Sequence, residues 1–379
     1  MKLLTEQCTA CRACENICPV QSIQLISDEY NVERAFIQED TCIECGLCKK
    51  KCPVLSPLKL HDPITVYAAW AKDERIYKTS SSGGIATILS QYFLNNDDAV
   101  IAARFINKRL CHKLVTKETI SAFQGSKYTQ SDMSETYAMI CNALAHNQKV
   151  LFIGTPCQNA GVKSYFSTRL SHIYFIDLIC HGVAPQSYLK EHLQTIAGKC
   201  NWSNVCFRKS DKYFLSVNGD SFKIGNDAAD PYLIGFLKSL FFRENCYSCR
   251  YACPMRVADL TLGDFWGLDD SESPYSEGAS VVLINSKKGK ELFNAISKDI
   301  YYKERDYKEA RLVNEQLNRP SLEHPRRNIF FENYPLYGFD IAVRKAIKKE
   351  IFICKIKKYI KMILGTKFTK MIKLIFYKT

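Results

Sequence analysis

Near the N-terminus one cysteine pattern is written twice: Cys8, Cys11, Cys14 and Cys18 precede Pro19, and Cys42, Cys45, Cys48 and Cys52 precede Pro53. The spacing C-x2-C-x2-C-x3-C-P lets three thiolates of one run wrap a face of an iron–sulfur cubane. The fourth, turned away by its proline, reaches the cluster of the other run. On that rule Cys8, Cys11, Cys14 and Cys52 hold one [4Fe-4S] cluster, and Cys42, Cys45, Cys48 and Cys18 hold the second. Structural zinc ordinarily uses two separate C-x2-4-C pairs, and disulfide frameworks belong to short secreted chains. The apolar content around the two runs is small, which fits a module held together by its metal. Residues 22–26 and 34–37 supply two short strands to cover it.

The chain continues far beyond such a module, to 379 residues, of which 46% are apolar and 24% charged. That length allows two or three domains and a sizeable second core. No run of about 18 apolar residues is present, and the polar Thr5, Glu6 and Gln7 interrupt any signal-peptide core. The expected location is cytoplasmic. Eighteen cysteines in such a chain point to metal ligation in a reducing compartment.

A net charge of +13 raises the question of nucleic acid, and its distribution answers it. Residues 344–379 hold twelve Lys or Arg against one Glu, a local +11, which leaves +2 for everything else. A near-neutral body with a basic tail is not a nucleic-acid-binding domain, and no recognition motif accompanies the charge. Apolar residues recur at helical spacing in the tail, at Ile347, Ile351, Phe352, Ile356, Tyr359, Ile360 and Ile363, then at Phe368, Met371, Ile372 and Ile375. Two basic amphipathic helices suit an anionic membrane surface, peripheral on its inner face, or equally a docking face on the body or an acidic partner.

Four regions are expected: the dicluster module at 1–57, two parts of a body at 58–145 and 146–330, and the tail at 331–379. Strands alternate with helices from 64 to about 300, so the fold class is a small module followed by an α/β body with a mixed sheet and a basic helical tail. Residues 64–70 form a buried strand. Ser80, Ser81, Ser82, Gly83 and Gly84 then open a helix with apolar positions Ile85, Ile88, Leu89 and Phe93. A small-residue turn there exposes backbone N–H groups that suit a phosphate, although such turns also serve as plain caps. Further strands are expected at 99–105 and 113–115, a Gly-Ser-Lys-Tyr loop at 125–128, and a helix starting near Ser131 and Asp132. Ser126, Lys127 and Tyr128 can hold a phosphate or stack a ring, or form a solvated turn.

Two strand–turn–helix units follow, at 149–158 and 172–197. Each strand leads to a cysteine, Cys157 and Cys180, at the end where ligands enter an α/β sheet. Downstream, Cys246, Cys249 and Cys253-Pro254 form a C-x2-C-x3-C-P run one cysteine short of the iron–sulfur pattern. Cys157, Cys180, Cys246 and Cys249 are the expected ligands of a third cluster. Cys253 rivals them for one place, and zinc is the alternative metal.

At Ser81-Ser82-Gly83-Gly84, Gly125-Ser126-Lys127-Tyr128, Gly154-Thr155-Pro156-Cys157-Gln158, Cys180-His181-Gly182 and 259–267, the chain resembles the coenzyme F-420 hydrogenase/dehydrogenase beta-subunit family. The resemblance implies FAD beside a [4Fe-4S] cluster. It places Ser82, Gly83 and Gly84, the Ser126-Lys127-Tyr128 loop, and Gly278, Ala279 and Ser280 along the FAD. It implies a flavin-dependent iron–sulfur oxidoreductase, fed by ferredoxin or a partner subunit, with a small-molecule acceptor such as a deazaflavin or a polysaccharide-pathway metabolite. The competing expectation is a non-catalytic subunit that feeds a separate enzyme. His181, beside a cluster ligand, is a candidate proton donor, a role that a lone loop histidine does not by itself establish.

Overall fold

The structure, a computed structural model, describes all residues except 199–201, 203, 210–211, 219–221, 225–229, 269–277 and 357–379. The N-terminal module has strands β1 (Lys2–Leu3), β2 (Ile23–Ser27) and β3 (Glu33–Ile37) in the antiparallel order β1-β3-β2. Short helices α1 (Ala13–Ile17) and α2 (Leu47–Lys51) lie within the two cysteine runs. Its apolar core is small, chiefly Ile23 and Ala35 with Leu4, Leu25 and Ile37 beside the cysteines.

The body is built on strands β4 (Thr65–Ala71), β5 (Ala99–Ile106), β6 (Arg109–Leu114), β7 (Val150–Gly154) and β8 (Ile173–Leu178), with β9 (Val205–Lys209), β10 (Lys212–Val217) and β11 (Phe222–Ile224) apart from them. They are completed by β12 (Leu260–Phe265), β13 (Ala279–Ile284) and β14 (Ile300–Arg305). The main sheet has eight strands in the order β14-β4-β13-β12-β8-β7-β5-β6. Its centre, β12-β8-β7-β5, is parallel, and antiparallel partners flank it on both sides. The expected mixed sheet is therefore present. Strand β7, and β13 apart from Ser280, read as apolar runs because both faces are covered. Edge strand β14 carries Lys303 and Glu304, charges that discourage pairing with another chain.

Helices α4 (Ile85–Asn95) and α10 (Lys287–Ile296) cover one face through Ile88, Leu89, Phe93, Leu292 and Phe293. Helices α5 (Thr136–Ala145) and α6 (Pro156–Tyr165) cover the other through Tyr137, Ile140 and Val162. Between α2 and α4 lies α3 (Glu74–Thr79). A second core gathers Phe207, Leu215 and Val217 of the small sheet with α7 (Gln186–Ala197), α8 (Pro231–Leu237), α12 (Arg327–Tyr337) and α13 (Phe339–Ala346). Two further helices are α9 (Glu244–Tyr247) and α11 (Tyr307–Val313).

Two boundaries differ from the sequence expectation. Helix α5 begins at Thr136 rather than near Ser131, because Asp132 pairs with Cys111 as a β-bridge and its amide donates to the Leu110 carbonyl at 2.8 Å. The apolar stretch from Tyr232 to Phe242 reads from sequence as one helix, but α8 ends at Leu237. Ser239 has φ 54°, and the returning chain packs Phe241 where a Cβ on Gly235 would stand, only 2.3 Å from the ring. At the tail, Ile347 and Ile351 are buried in the second core, whereas Phe352 is 63% exposed. The apolar positions from Tyr359 onward lie outside the described residues. No helix among the described residues is long and apolar enough to cross a membrane.

Candidate functional site

Within the module the two cysteine runs cross over. Burial pushes the Cys11 thiol up to about 12, with Cys8 and Cys52 adding repulsion, and Cys14 is raised by burial and by Cys11, Cys8 and Cys52. Cys8, Cys11, Cys14 and Cys52 together line a small cavity with Thr9, Leu25 and Ala35. Cys48 is raised by burial and has Cys42, Cys18 and Cys45 as its thiol neighbours. This second set is the outer one, with Cys45 exposed. Buried thiolates crowded in this way need a cationic core, and an iron–sulfur core supplies it.

A third set forms in the body. Registered strands β7 and β8 place Gly154 opposite Asp177, so the chain leaves both at one end of the sheet and delivers Cys157 and Cys180 to the same place. Cys157 is fixed in the first turn of α6 by a capping box, in which the Thr155 amide and hydroxyl donate to Gln158 Oε1 at 3.0 Å each. Burial raises Cys180 well above its ordinary value, reinforced by Cys246, Cys157 and Cys249. Cys246 is pushed up to about 12 and Cys249 to about 11, again by burial first. Cys253 stands apart: its thiol donates to the Met255 carbonyl at 3.3 Å, and its charged neighbourhood is that of Tyr307. Among the described residues, no group of three or more His, Cys, Asp or Glu closes on a single-ion site. A [4Fe-4S] core spreads its four thiolates over four irons and so asks for wider spacing.

Arg256, 2% exposed, locks the loop bearing Cys249 to the end of β8. Its guanidinium donates to the Tyr251 carbonyl at 2.9 Å, Thr261 Oγ1 at 3.1 Å and Asp177 Oδ1 at 3.1 Å. Arg243 ties module to body, donating to the Cys8 carbonyl at 2.8 Å, the Glu33 carbonyl at 2.7 Å and Gln130 Oε1 at 2.8 Å. Closest of all is α6 itself. A Cβ on Gly161 would lie 2.6 Å from Cys11 Cβ and 2.8 Å from its sulfur. Cys157 and Gly161 are four residues apart, about 6 Å along the helix, so one face of α6 touches both the inner module set and the body set.

Cys157 and Cys180 also open onto a cavity of about 410 Å³, which is in the range of cofactor sites. Its walls include Ser82, Gly84, Ser126, Lys127, Tyr128, His181 and Ser280. Gly83, Gly278 and Ala279 do not line it but build it from behind. Gly83 has no room for a Cβ, which would stand 2.1 Å from the Ala69 carbonyl oxygen, and its amide donates to Ser280 Oγ at 3.0 Å. Ser82 Oγ donates to the Ala279 carbonyl, and Tyr77 Oη to that of Gly278. Gly84, at φ 80°, turns the chain into α4, whose N-terminal residues Ile85, Ala86 and Thr87 border the cavity. The Ser126 amide donates to Ser81 Oγ at 2.9 Å and closes the two loops together.

Lys127 does not present its charge to the cavity. Its ammonium donates to the carbonyls of Phe123, Gln124 and Gly125 at 2.7–2.9 Å. Burial draws its pKa down to about 7, against the opposing pull of Cys206. Tyr128 stacks on Phe236, with ring centres 4.9 Å apart, and on Tyr213. His181 lines the cavity with an exposed side chain, and desolvation lowers its pKa, so the neutral imidazole is favoured. Deeper in, desolvation holds His112 at about 4, with Nε2 at 3.1 Å from the Ile153 carbonyl.

Arg208, Asp264, Tyr251 and Gly161 carry parts of this site without a role foreseen from sequence. Arg208 forms a two-pronged pair with Asp264, at 2.6 and 2.9 Å, and donates to the Ser81 carbonyl at 2.7 Å. Gly161, one helical turn after Cys157, was the most readable of the four.

Cysteine sets running from an exposed edge through a protein interface to a cofactor-sized cavity define an iron–sulfur electron-transfer protein. Residues 7–55 match the 4Fe-4S dicluster domain. Residues 66–137 match the N-terminal part, and residues 147–310 the C-terminal part, of the coenzyme F420 hydrogenase/dehydrogenase beta subunit. The chain belongs to that family. Among solved structures, it is similar to a chain of the F420-reducing [NiFe] hydrogenase complex from Methanosarcina barkeri. That likeness has 19% identity and a TM-score of 0.49, over 70% of this chain and 97% of the other. No curated protein matches it.

Proposed function

We propose that the protein is a flavin-dependent iron–sulfur oxidoreductase that takes electrons from a protein donor and delivers them to an acceptor in the 410 Å³ cavity. The observation that carries this reading is the placement of Cys157. It lines the cavity, belongs to the third thiol set, and lies one helical turn from the contact with Cys11. FAD is the proposed cavity group; bound there, it would accept single electrons from iron–sulfur centres and pass on a pair as hydride.

This chain's own residues would hold that group in stated ways. The N-terminus of α4 and the Ser82 turn offer N–H and hydroxyl donors suited to a phosphate. Tyr128 supplies a flat apolar wall, and Lys127 shapes its loop by tying down three carbonyls. His181, neutral and facing the cavity, can give or take a proton. The donor protein would meet the outer thiol set, where Cys45 is exposed and where Val20 and Ile43, which follow Cys18 and Cys42 in the chain, are exposed as well. Deazaflavin coenzymes and metabolites of a polysaccharide pathway are the acceptors to try.

The test is an anaerobic optical titration with reduced viologen. The flavin bands of the wild type should bleach and recover on adding an acceptor, while in C157S flavin reduction should slow at least tenfold. Equal rates in both would overturn the proposed route. Bleaching without recovery on any small acceptor would favour a subunit that feeds a separate enzyme.

A further inference from the structure

Tyr251 sits where the module and the body meet. It is 5% exposed and packs with Ala160 of α6 and Val257, next to Cys157 and Cys249. The titratable groups that act on it are Cys157 and Cys249 of the body set, Arg250, and Cys11 across the boundary. Its backbone is held by Arg256, and the Arg250 guanidinium covers its ring at 5.8 Å. Everything about this side chain is fixed except its hydroxyl, which is buried and has no hydrogen-bond partner. A phenylalanine would fill the same space without desolvating a donor, so the unpaired O–H calls for an acceptor among the neighbouring sulfurs.

We infer that Tyr251 is a positioning residue for electron transfer: its phenol donates a hydrogen bond to a sulfur of the Cys157/Cys249 site, on the side that faces Cys11. The inference rests on the proposed third cluster. A donor aimed at a cluster sulfur favours the reduced, more negative state, and so sets the body site as the downhill neighbour of the inner module site. The bond is made when the site is loaded, and no atom is transferred in making it.

The test uses the complete, anaerobically purified protein and its Tyr251→Phe variant, with iron counted and each cluster's potential followed by electron paramagnetic resonance. In Y251F one cluster should become about tenfold harder to reduce, which is 59 mV for a one-electron couple. The other two should not move, and iron content and melting temperature should hold. A coupling to an exchangeable proton, present in H2O and absent in D2O, should also vanish from that cluster's spectrum. Full iron with all three potentials unmoved would overturn the inference, as would loss of iron from Y251F, which would make the residue a packing element. Only about eight iron atoms in the wild type would instead sink the third cluster itself, so the two failures are distinguishable.

Discussion

Gly161→Ala tests how the module is seated. Gly161 is buried inside α6, where alanine is ordinarily preferred by about 1 kcal/mol. Here the added Cβ would meet Cys11 Cβ at 2.6 Å, Cys11 Sγ at 2.8 Å and the Tyr137 hydroxyl at 3.1 Å. Ordinary contact begins near 3.4 Å, so the module must withdraw by about 1 Å, at an overpacking cost that typically runs about 1–3 kcal/mol. With three atoms struck at once, the upper half of that range applies. The net expectation is a loss of about 1–2 kcal/mol against a helix-propensity gain of the opposite sign. Because a cluster-loaded protein of several units does not unfold in one step, the assay is bleaching of cluster absorbance across a urea series, together with the rate of electron passage from module to body. A G161A protein that is as stable as the wild type, or about 1 kcal/mol more stable, would show that α6 does not press on Cys11.

Two further outcomes follow from buried ion pairs. His192, fully buried, is held between Asp340 at 2.7 Å and Asp230 at 2.8 Å; desolvation acts to lower its pKa, but the two carboxylates prevail and raise it to about 9. A raised folded value means that the stabilisation is complete below about pH 6.5 and is lost as pH rises through 9. The urea midpoint of the wild type should therefore fall between pH 6.5 and 9.5, reflecting a stability loss on the order of 3 kcal/mol, while H192N stays flat; parallel curves would refute the pairing. Asp264→Asn removes the two-pronged ion pair to the 4%-exposed Arg208, and since Asp264 is itself 25% exposed the cost should be about 2 kcal/mol rather than the 3–5 of a fully buried pair. Flavin retention should drop with it, and unchanged melting with full flavin would count against Arg208 as a cavity wall.

What could be read from the chain is what local chemistry decides. The doubled cysteine runs specify their own crossover, and the largely apolar runs at Val150–Gly154 and Ala279–Ile284 are strands because two covered faces leave no alternation. Cys157 and Cys180 could be paired from sequence because each follows a strand of the same sheet. Contacts between distant segments were not legible in that way. Arg243 reaching the Cys8 carbonyl, Arg208 joining Ser81 to Asp264, and Tyr251 facing Cys11 depend on how separate units dock. The sequence pattern also placed Lys127 among ligand groups, whereas its ammonium is spent on its own loop. Gly278 and Ala279 act one layer behind the cavity, where their carbonyls accept from Tyr77 and Ser82, a distinction that only the folded contacts make visible.

The central claim is that electrons pass through three thiol sites to a flavin in one chain, and the most direct measurement is joint quantification of iron, sulfide and flavin in anaerobically purified protein, beside C180S and C253S. The expected result is about twelve iron atoms and one FAD in the wild type and in C253S, and about eight iron atoms in C180S. About eight iron atoms without flavin in all three would contradict the claim, leaving a dicluster electron carrier whose Cys157, Cys180, Cys246 and Cys249 hold zinc or remain free thiols.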